Sequence, residues 1–217
     1  MRLLFAFLML CAPLAGASIP MTPADGRPAL ASLEWRGSPR SGWGVQTWPS
    51  GSHYAGEFRD GRPHGWGVYE WASGQRYEGQ FRDGRRDGRG VHSWPSGARY
   101  AGEFRNGKRD GRGVYTWPNG DRYVGAWRNG RQNGRGVLIR ANGNRYEGEW
   151  RNGERHGRGV LTWAGGNRYA GEFRHGLPDG QGVCETHGTR VAGHWVDGCL
   201  HQGLLLFAVG RPASECR

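Results

Sequence analysis

The chain has 217 residues, of which 41 are glycine, 11 tryptophan and 8 tyrosine; 36% are hydrophobic, and the formal net charge is +11. This excludes the thick aliphatic core of an ordinary globular domain, so aromatic rings must be buried against glycine backbone in a thin layer. The positive charge favours anionic partners (phospholipid headgroups, acidic polysaccharide, nucleic acid or acidic protein) and says nothing about fold.

Residues 1–17 hold one basic residue, Arg2, a mostly apolar run from Leu3 to Leu14, and the small-residue site Ala15-Gly16-Ala17. This is the layout of a secretory signal peptide cleaved after Ala17, with an apolar run too short to span a bilayer comfortably. Cleavage would leave a mature chain of +10, because Arg2 is the only charge removed. Residues 18–30, rich in Pro and small side chains, predict a flexible, extended lead-in.

From residue 31 to residue 210 the sequence repeats. Tyr54, Tyr77, Tyr100, Tyr123, Tyr146 and Tyr169 stand 23 residues apart. Each opens a segment Y-x-G-x-(F/W)-R-(D/N/H)-G, followed by G-x-G-V and usually a Trp; a fixed period of this length marks a repeat architecture. Unit one, residues 31–53, is degenerate but keeps Trp35, Gly42-Trp43-Gly44-Val45 and Trp48. The seventh unit is one residue short, and Thr186 stands where Trp would. The eighth, from Val191, keeps Gly193 and Trp195 and runs into an apolar stretch from Leu204 to Val209; residues 211–217 form a tail. Atypical end units suit a stack that must be capped.

Within a unit the period is two. Tyr100, Gly102 and Phe104 alternate with Ala101, Glu103 and Arg105. Asn106-Gly107 is a hairpin-turn dipeptide, matched by Asp60-Gly61, Asp83-Gly84, Asn129-Gly130, Asn152-Gly153 and Asp197-Gly198. The second strand runs from Gly111 to Trp117, and Pro118-Asn119-Gly120 turns the chain into the next unit. Eight such hairpins predict a long antiparallel meander, about 75–80 Å at ~10 Å per unit. One face should carry aromatic ladders: Tyr54, Tyr77, Tyr100, Tyr123, Tyr146 and Tyr169, with Trp71, Trp94, Trp117 and Trp163. Rings lying over glycines would cover bare backbone, and a bulky residue at Gly102 or Gly113 should strip two units apart.

The Y-x-G-x-W/F-x-x-G-x-x-x-G-x-G unit resembles the MORN (membrane occupation and recognition nexus) repeat, over nearly all of the mature chain. The resemblance implies an all-β fold: an elongated, twisted and groove-shaped single-layer antiparallel sheet of tandem β-hairpins. In junctophilins and plant phosphatidylinositol phosphate kinases such repeats are associated with membrane attachment, phosphoinositide binding or protein assembly, and the family has no shared catalytic residues.

Three constellations could carry function. Arg59, Arg82, Arg105, Arg128, Arg151 and Arg174 recur at one repeat position, and Arg89, Arg112, Arg135 and Arg158 at another on the same face. Rows of guanidinium groups suit anions or lipid headgroups. Equally, Glu57, Glu103, Glu149 and Glu172, two residues before several of them, would make a solvated, salt-bridged face. The aromatic face reads as core, with rims open to a peptide, helix or acyl chain. Near the C-terminus stand Cys184, His187, His194, Cys199, His201 and Cys216, without metal-ligand spacing, so no metal is expected. In an exported chain a disulfide fits better, and a returning tail would join Cys199 to Cys216.

His53, His64, His92, His156 and His175 are scattered, and neither a nucleophile elbow nor a strand–helix phosphate loop is present. The sequence therefore predicts a non-enzymatic exported scaffold without cofactors, periplasmic, envelope-associated or secreted, that binds protein partners or its own copies. The alternative is a membrane-associated binder of anionic phospholipid or envelope polysaccharide through the arginines. Nucleic acid is not an expected partner of an exported chain.

Overall fold

The computed structural model describes residues 40–202, 205–210 and 212–216; the leader and lead-in lie outside them. The chain lays down β1 (Gly42–Thr47), β2 (His53–Arg59), β3 (Arg62–Glu70), β4 (Arg76–Arg82), β5 (Arg85–Ser93), β6 (Arg99–Arg105), β7 (Lys108–Thr116) and β8 (Arg122–Arg128). It continues with β9 (Arg131–Ile139), β10 (Arg145–Arg151), β11 (Glu154–Thr162), β12 (Arg168–Arg174), β13 (Leu177–Thr186) and β14 (Thr189–Trp195). These fourteen strands form one antiparallel sheet in sequence order, open because β1 and β14 do not meet. Two short strands, β15 (Cys199–Gln202) and β16 (Leu205–Ala208), form a separate pair.

Two kinds of turn alternate. The turn inside each unit uses two residues at positive φ, as at Asn106 (48°) and Gly107 (81°), the requirement that Asn-Gly and Asp-Gly meet. The turn between units is longer. Trp117 N–H donates to Asp121 O (2.9 Å), and Gly120 N–H donates back to Trp117 O (3.0 Å). Where the seventh unit loses a residue, His187-Gly188 makes the tighter two-residue turn instead, at φ 47° and 80°.

Each regular hairpin also carries a bulge. In β6 and β7, Gly102 pairs with Gly113 and Phe104 with Arg109, so one residue faces three. Gly111 absorbs the distortion at φ 106°. At the turn end, Gly107 N–H donates to Arg86 O of the preceding unit (2.8 Å), and Gly130 repeats the bond to Arg109 O (2.8 Å), sewing unit to unit.

The eighth hairpin does not extend the sheet. Asp197-Gly198 turns the chain, with one isolated bridge between Val196 and Cys199, and β15 then pairs with β16. The fourteen strands among the described residues give a sheet about 60 Å across its strands. Gly193 of β14 lacks a covering tyrosine, since Val191 stands in that column. Leu200 fills in, with its Cδ1 2.6 Å from where a Gly193 Cβ would be. A Cys199–Cys216 disulfide fastens this cap to the tail.

Candidate functional site

The core is a row of rings on one face of a single sheet. Every unit tyrosine is buried: Tyr54, Tyr77, Tyr100, Tyr123 and Tyr169 at 0% exposure and Tyr146 at 2%. Each lies on the glycine across its own hairpin. A Cβ on Gly113 would come within 2.3 Å of Tyr100 Oη, and Gly90 and Gly136 stand likewise to Tyr77 and Tyr123. The expected ring-over-glycine contact is therefore made, but inside a hairpin rather than between units. Tyr100 Oη donates to Glu103 O (3.0 Å), and Tyr54, Tyr123 and Tyr146 repeat the bond at 2.9–3.0 Å. Burial pushes all six phenols well above their ordinary range.

These tyrosines alternate with Phe58, Phe81, Phe104, Trp127, Trp150, Phe173 and Trp195 in one unbroken edge-to-face chain, with centroids 5.0–5.4 Å apart. Such pairs favour this offset geometry over face-to-face stacking. Beside this sealed ladder runs a second one. Trp48, Tyr69, Trp71, His92, Trp94, Tyr115 and Trp117 follow one another at 4.0–5.7 Å. All but His92 are only partly buried. The row gives way to Leu138 and Arg140 in the next unit, and Trp163 packs against the core further on.

Three arginines outside both predicted rows lie on this aromatic face. Arg109 sits over Trp127 (4.4 Å), Tyr115 (5.0 Å) and Tyr100 (5.8 Å) and donates to Gly130 O (2.8 Å). Arg86 does the same over Trp71, Tyr77 and Phe104 and donates to Gly107 O (2.8 Å). Arg155 covers Tyr146 and Phe173. Burial lowers the pKa of all three. His92 takes the ladder place of Tyr69 and Tyr115, with Nδ1 2.7 Å from Arg86 Nη1. Burial, then Arg86 and Arg109, push it down to about 4. Aligning the repeats would have exposed it as the odd member of its column.

The opposite face carries the arginines. Arg59, Arg82, Arg105, Arg128, Arg151 and Arg174 all lie exposed at the ends of first strands, as the repeat predicts. Their carboxylate partners are not the glutamates two residues before. Glu103 Oε1 accepts the Arg112 N–H in the bulge (2.9 Å), and Glu57 and Glu149 accept Trp66 N–H (3.0 Å) and Arg158 N–H (3.2 Å). The arginines pair instead with aspartates: Arg59 with Asp83 (3.6 Å), Arg82 with Asp87 (3.4 Å), Arg105 with Asp110 (3.7 Å) and Arg174 with Asp179. Asn133 and His156 occupy the equivalent places near Arg128 and Arg151, which have no carboxylate within 4 Å among the described residues. Arg89, Arg112, Arg135 and Arg158 are exposed along the second strands.

A third row was missed by the sequence reading. Arg76, Arg99, Arg122, Arg145 and Arg168 stand immediately before the unit tyrosines, on the arginine face. Their 23-residue spacing was as plain as that of the other rows. Between the rows runs a half-buried stripe of small apolar residues, including Val91, Ala101, Val114, Val124 and Val137, paired strand to strand.

At the C-terminal end, Cys184 is a buried free thiol opposite Tyr169, its pKa raised by burial. His187, His194 and His201 are exposed. Among the described residues no group of three or more His, Cys, Asp or Glu could hold a metal ion.

The MORN repeat model matches seven consecutive segments, residues 34–53, 54–76, 77–99, 100–122, 123–145, 146–168 and 169–186. The chain belongs to the MORN repeat family. None of the curated proteins matches it. Among solved structures, this MORN chain is similar to the SAS-4 (dCPAP) TCP domain of Drosophila melanogaster in complex with a proline-rich motif of Ana2 (dSTIL). Identity is 12% and the TM-score 0.45, covering 81% of this chain and 99% of that one. The TCP10 domain of Danio rerio CPAP, in complex with a STIL peptide, follows at 14% identity and a TM-score of 0.34, covering 69% and 82%. At these scores neither likeness carries weight for function.

Proposed function

We propose that this MORN protein is a non-enzymatic scaffold for protein–protein association, exported and acting at the cell envelope. The observation that carries it is the second aromatic ladder. From Trp48 to Trp117 a row of rings is left partly uncovered over successive repeats, beside a sealed core that already supplies the packing. Large rigid rings flanked by Arg109 are the material of binding hot spots. Export is supported by the leader-like residues 1–17 and by the Cys199–Cys216 bond, which suits an oxidising compartment. The test is a pull-down from an envelope extract, with light scattering for self-association. A protein retained by the wild type but lost from Trp71→Ala/Trp94→Ala supports the scaffold. A strict monomer that retains nothing overturns it.

A second reading has its own observation: three rows of arginines, nearly all exposed, with Arg128 and Arg151 lacking carboxylate partners among the described residues. They would serve a binder of anionic phospholipid or envelope polysaccharide. Co-sedimentation with acidic vesicles across a salt series decides. Binding that fades with salt and is lost from Arg105→Ser/Arg128→Ser/Arg151→Ser favours this reading, and binding indifferent to that change rejects it.

A further inference from the structure

One repeat departs from the others in charge. Residues 54–76, 77–99, 100–122 and 146–168 each hold three acidic residues, whereas residues 123–145 hold none and five arginines. Two of the five have partners, Arg140 with Asp121 (3.0 Å) and Arg145 with Glu147. Arg128, Arg131 and Arg135 have no carboxylate within 4 Å among the described residues.

The missing acids have addresses. Along the arginine face, register sets Arg89 opposite Glu103, Arg135 opposite Glu149 and Arg158 opposite Glu172, but Arg112 opposite Ala126. In neighbouring units the glutamate of this column also accepts a bulge N–H, as Glu103 does from Arg112. Ala126 offers no acceptor to the bulge N–H of Arg135. The second vacancy is at Asn133. Its counterpart Asp110 pairs with Arg105 (3.7 Å) and accepts Asn129 N–H (3.2 Å). Arg128, deprived of that aspartate, faces Arg131 directly across the hairpin. Like charges in that position repel, and an anion between them relieves the repulsion.

A recess on this face already recurs at three-repeat spacing. Gln80, Asp87, Arg89, Glu103, Arg105 and Asp110 line one copy. Glu149, His156, Arg158, Glu172, Arg174 and Asp179 line another. Both copies are filled with the protein's own carboxylates; the unit between them is not.

We infer that the fifth repeat is a docking site for an acidic segment of the scaffold's protein partner. One ligand carboxylate takes the place beside Ala126, between Arg112 and Arg135, and a second takes the place at Asn133, beside Arg128 and Arg131. The inference rests on the scaffold reading and names the partner's chemistry. Its extent favours a short acidic peptide over a bilayer or a long polyanion. The gap is one repeat, about 10 Å, wide, and Glu103, Asp110 and Glu149 on either side would repel an extended anionic surface.

The test is fluorescence anisotropy of fluorescein-labelled tetraglutamate, about 13 Å long when extended, with the full chain. Ala126→Glu/Asn133→Asp installs the pair that the fourth and seventh units carry as Glu103 with Asp110 and Glu172 with Asp179, so its melting midpoint should match the wild type, while affinity falls at least tenfold. Arg128→Ser/Arg135→Ser, a pure surface change, should weaken binding as much. Glu103→Ala/Asp110→Asn should open a second gap and raise the stoichiometry towards two. Affinity within threefold of wild type in both of the first two variants overturns the assignment. So does binding of phosphatidylglycerol vesicles or heparin where tetraglutamate does not bind. If a protein partner is retained equally by wild type and Ala126→Glu/Asn133→Asp, the scaffold stands and only the gap assignment falls. If tetraglutamate binds the gap while no protein is retained from extract, the scaffold reading falls alone.

Discussion

A methyl group on Gly113 would stand 2.3 Å from the Tyr100 hydroxyl and 2.5 Å from its ring carbons, and that ring has no free side to move into. Gly113→Ala is therefore expected to lose about 1–3 kcal/mol or more by overpacking. Gly165, which has open space around its Cβ direction, should accept alanine within about 0.5 kcal/mol. Urea unfolding of the two variants checks the contrast. His92 makes the other residue-scale prediction. Unfolded, its imidazole protonates near 6.5; in the fold it resists until about 4. The unfolded chain binds the extra proton between those values. The stability tied to neutral His92 is thus whole above about 6.5 and drains away as pH falls towards 4. His92→Tyr, which installs the ring of Tyr69 and Tyr115, should remove that step. Denaturation midpoints at pH 7 and 4.5 should fall further in wild type than in the variant, and equal falls reject the idea.

At the scale of the element, most of the hairpins were legible in the sequence. Asn-Gly and Asp-Gly placed the turns, and the period of two placed the rings on one face. What stayed hidden were features that need register. Glu103 and Arg105 share a face of β6, so they read as an ion pair, but the bulge brings Arg112 N–H to Glu103 and leaves Arg105 to Asp110. Drawing each unit from its tyrosine also split Arg99 and its equivalents from the strands they begin. The last hairpin closes differently: Asp197-Gly198 turns the chain, but the residues after it lack the G-x-G of the regular units, and β15 pairs with β16 instead of joining the sheet. That cap is held by Leu200 on Gly193 and by the disulfide. Replacing both Cys199 and Cys216 with serine should cost the cap about 3 kcal/mol in the loop-entropy view. Units in such a stack rest on their neighbours. Hydrogen exchange should therefore speed up in β15 and β16 while amides of β6 and β7 keep their protection; acceleration throughout the sheet would contradict this.

For the whole molecule, the decisive property is that strand order equals sequence order from β1 to β14. Membership of the MORN family was legible because six tyrosines at one spacing survive small edits elsewhere. The charge gap in the fifth repeat was equally written there. It gains meaning only when the register sets Arg112 opposite Ala126. Consecutive order also decides how the protein yields to force. Tension applied at Arg40 and Trp195 runs across the strands, so it would load the rungs of one ladder at a time, as in opening a zip. Each lost hairpin frees 23 residues, about 70 Å of new contour after its own width is subtracted. Optical-tweezer traces should show a low-force sawtooth with that increment, whereas one tall rupture would mean that the units fail together.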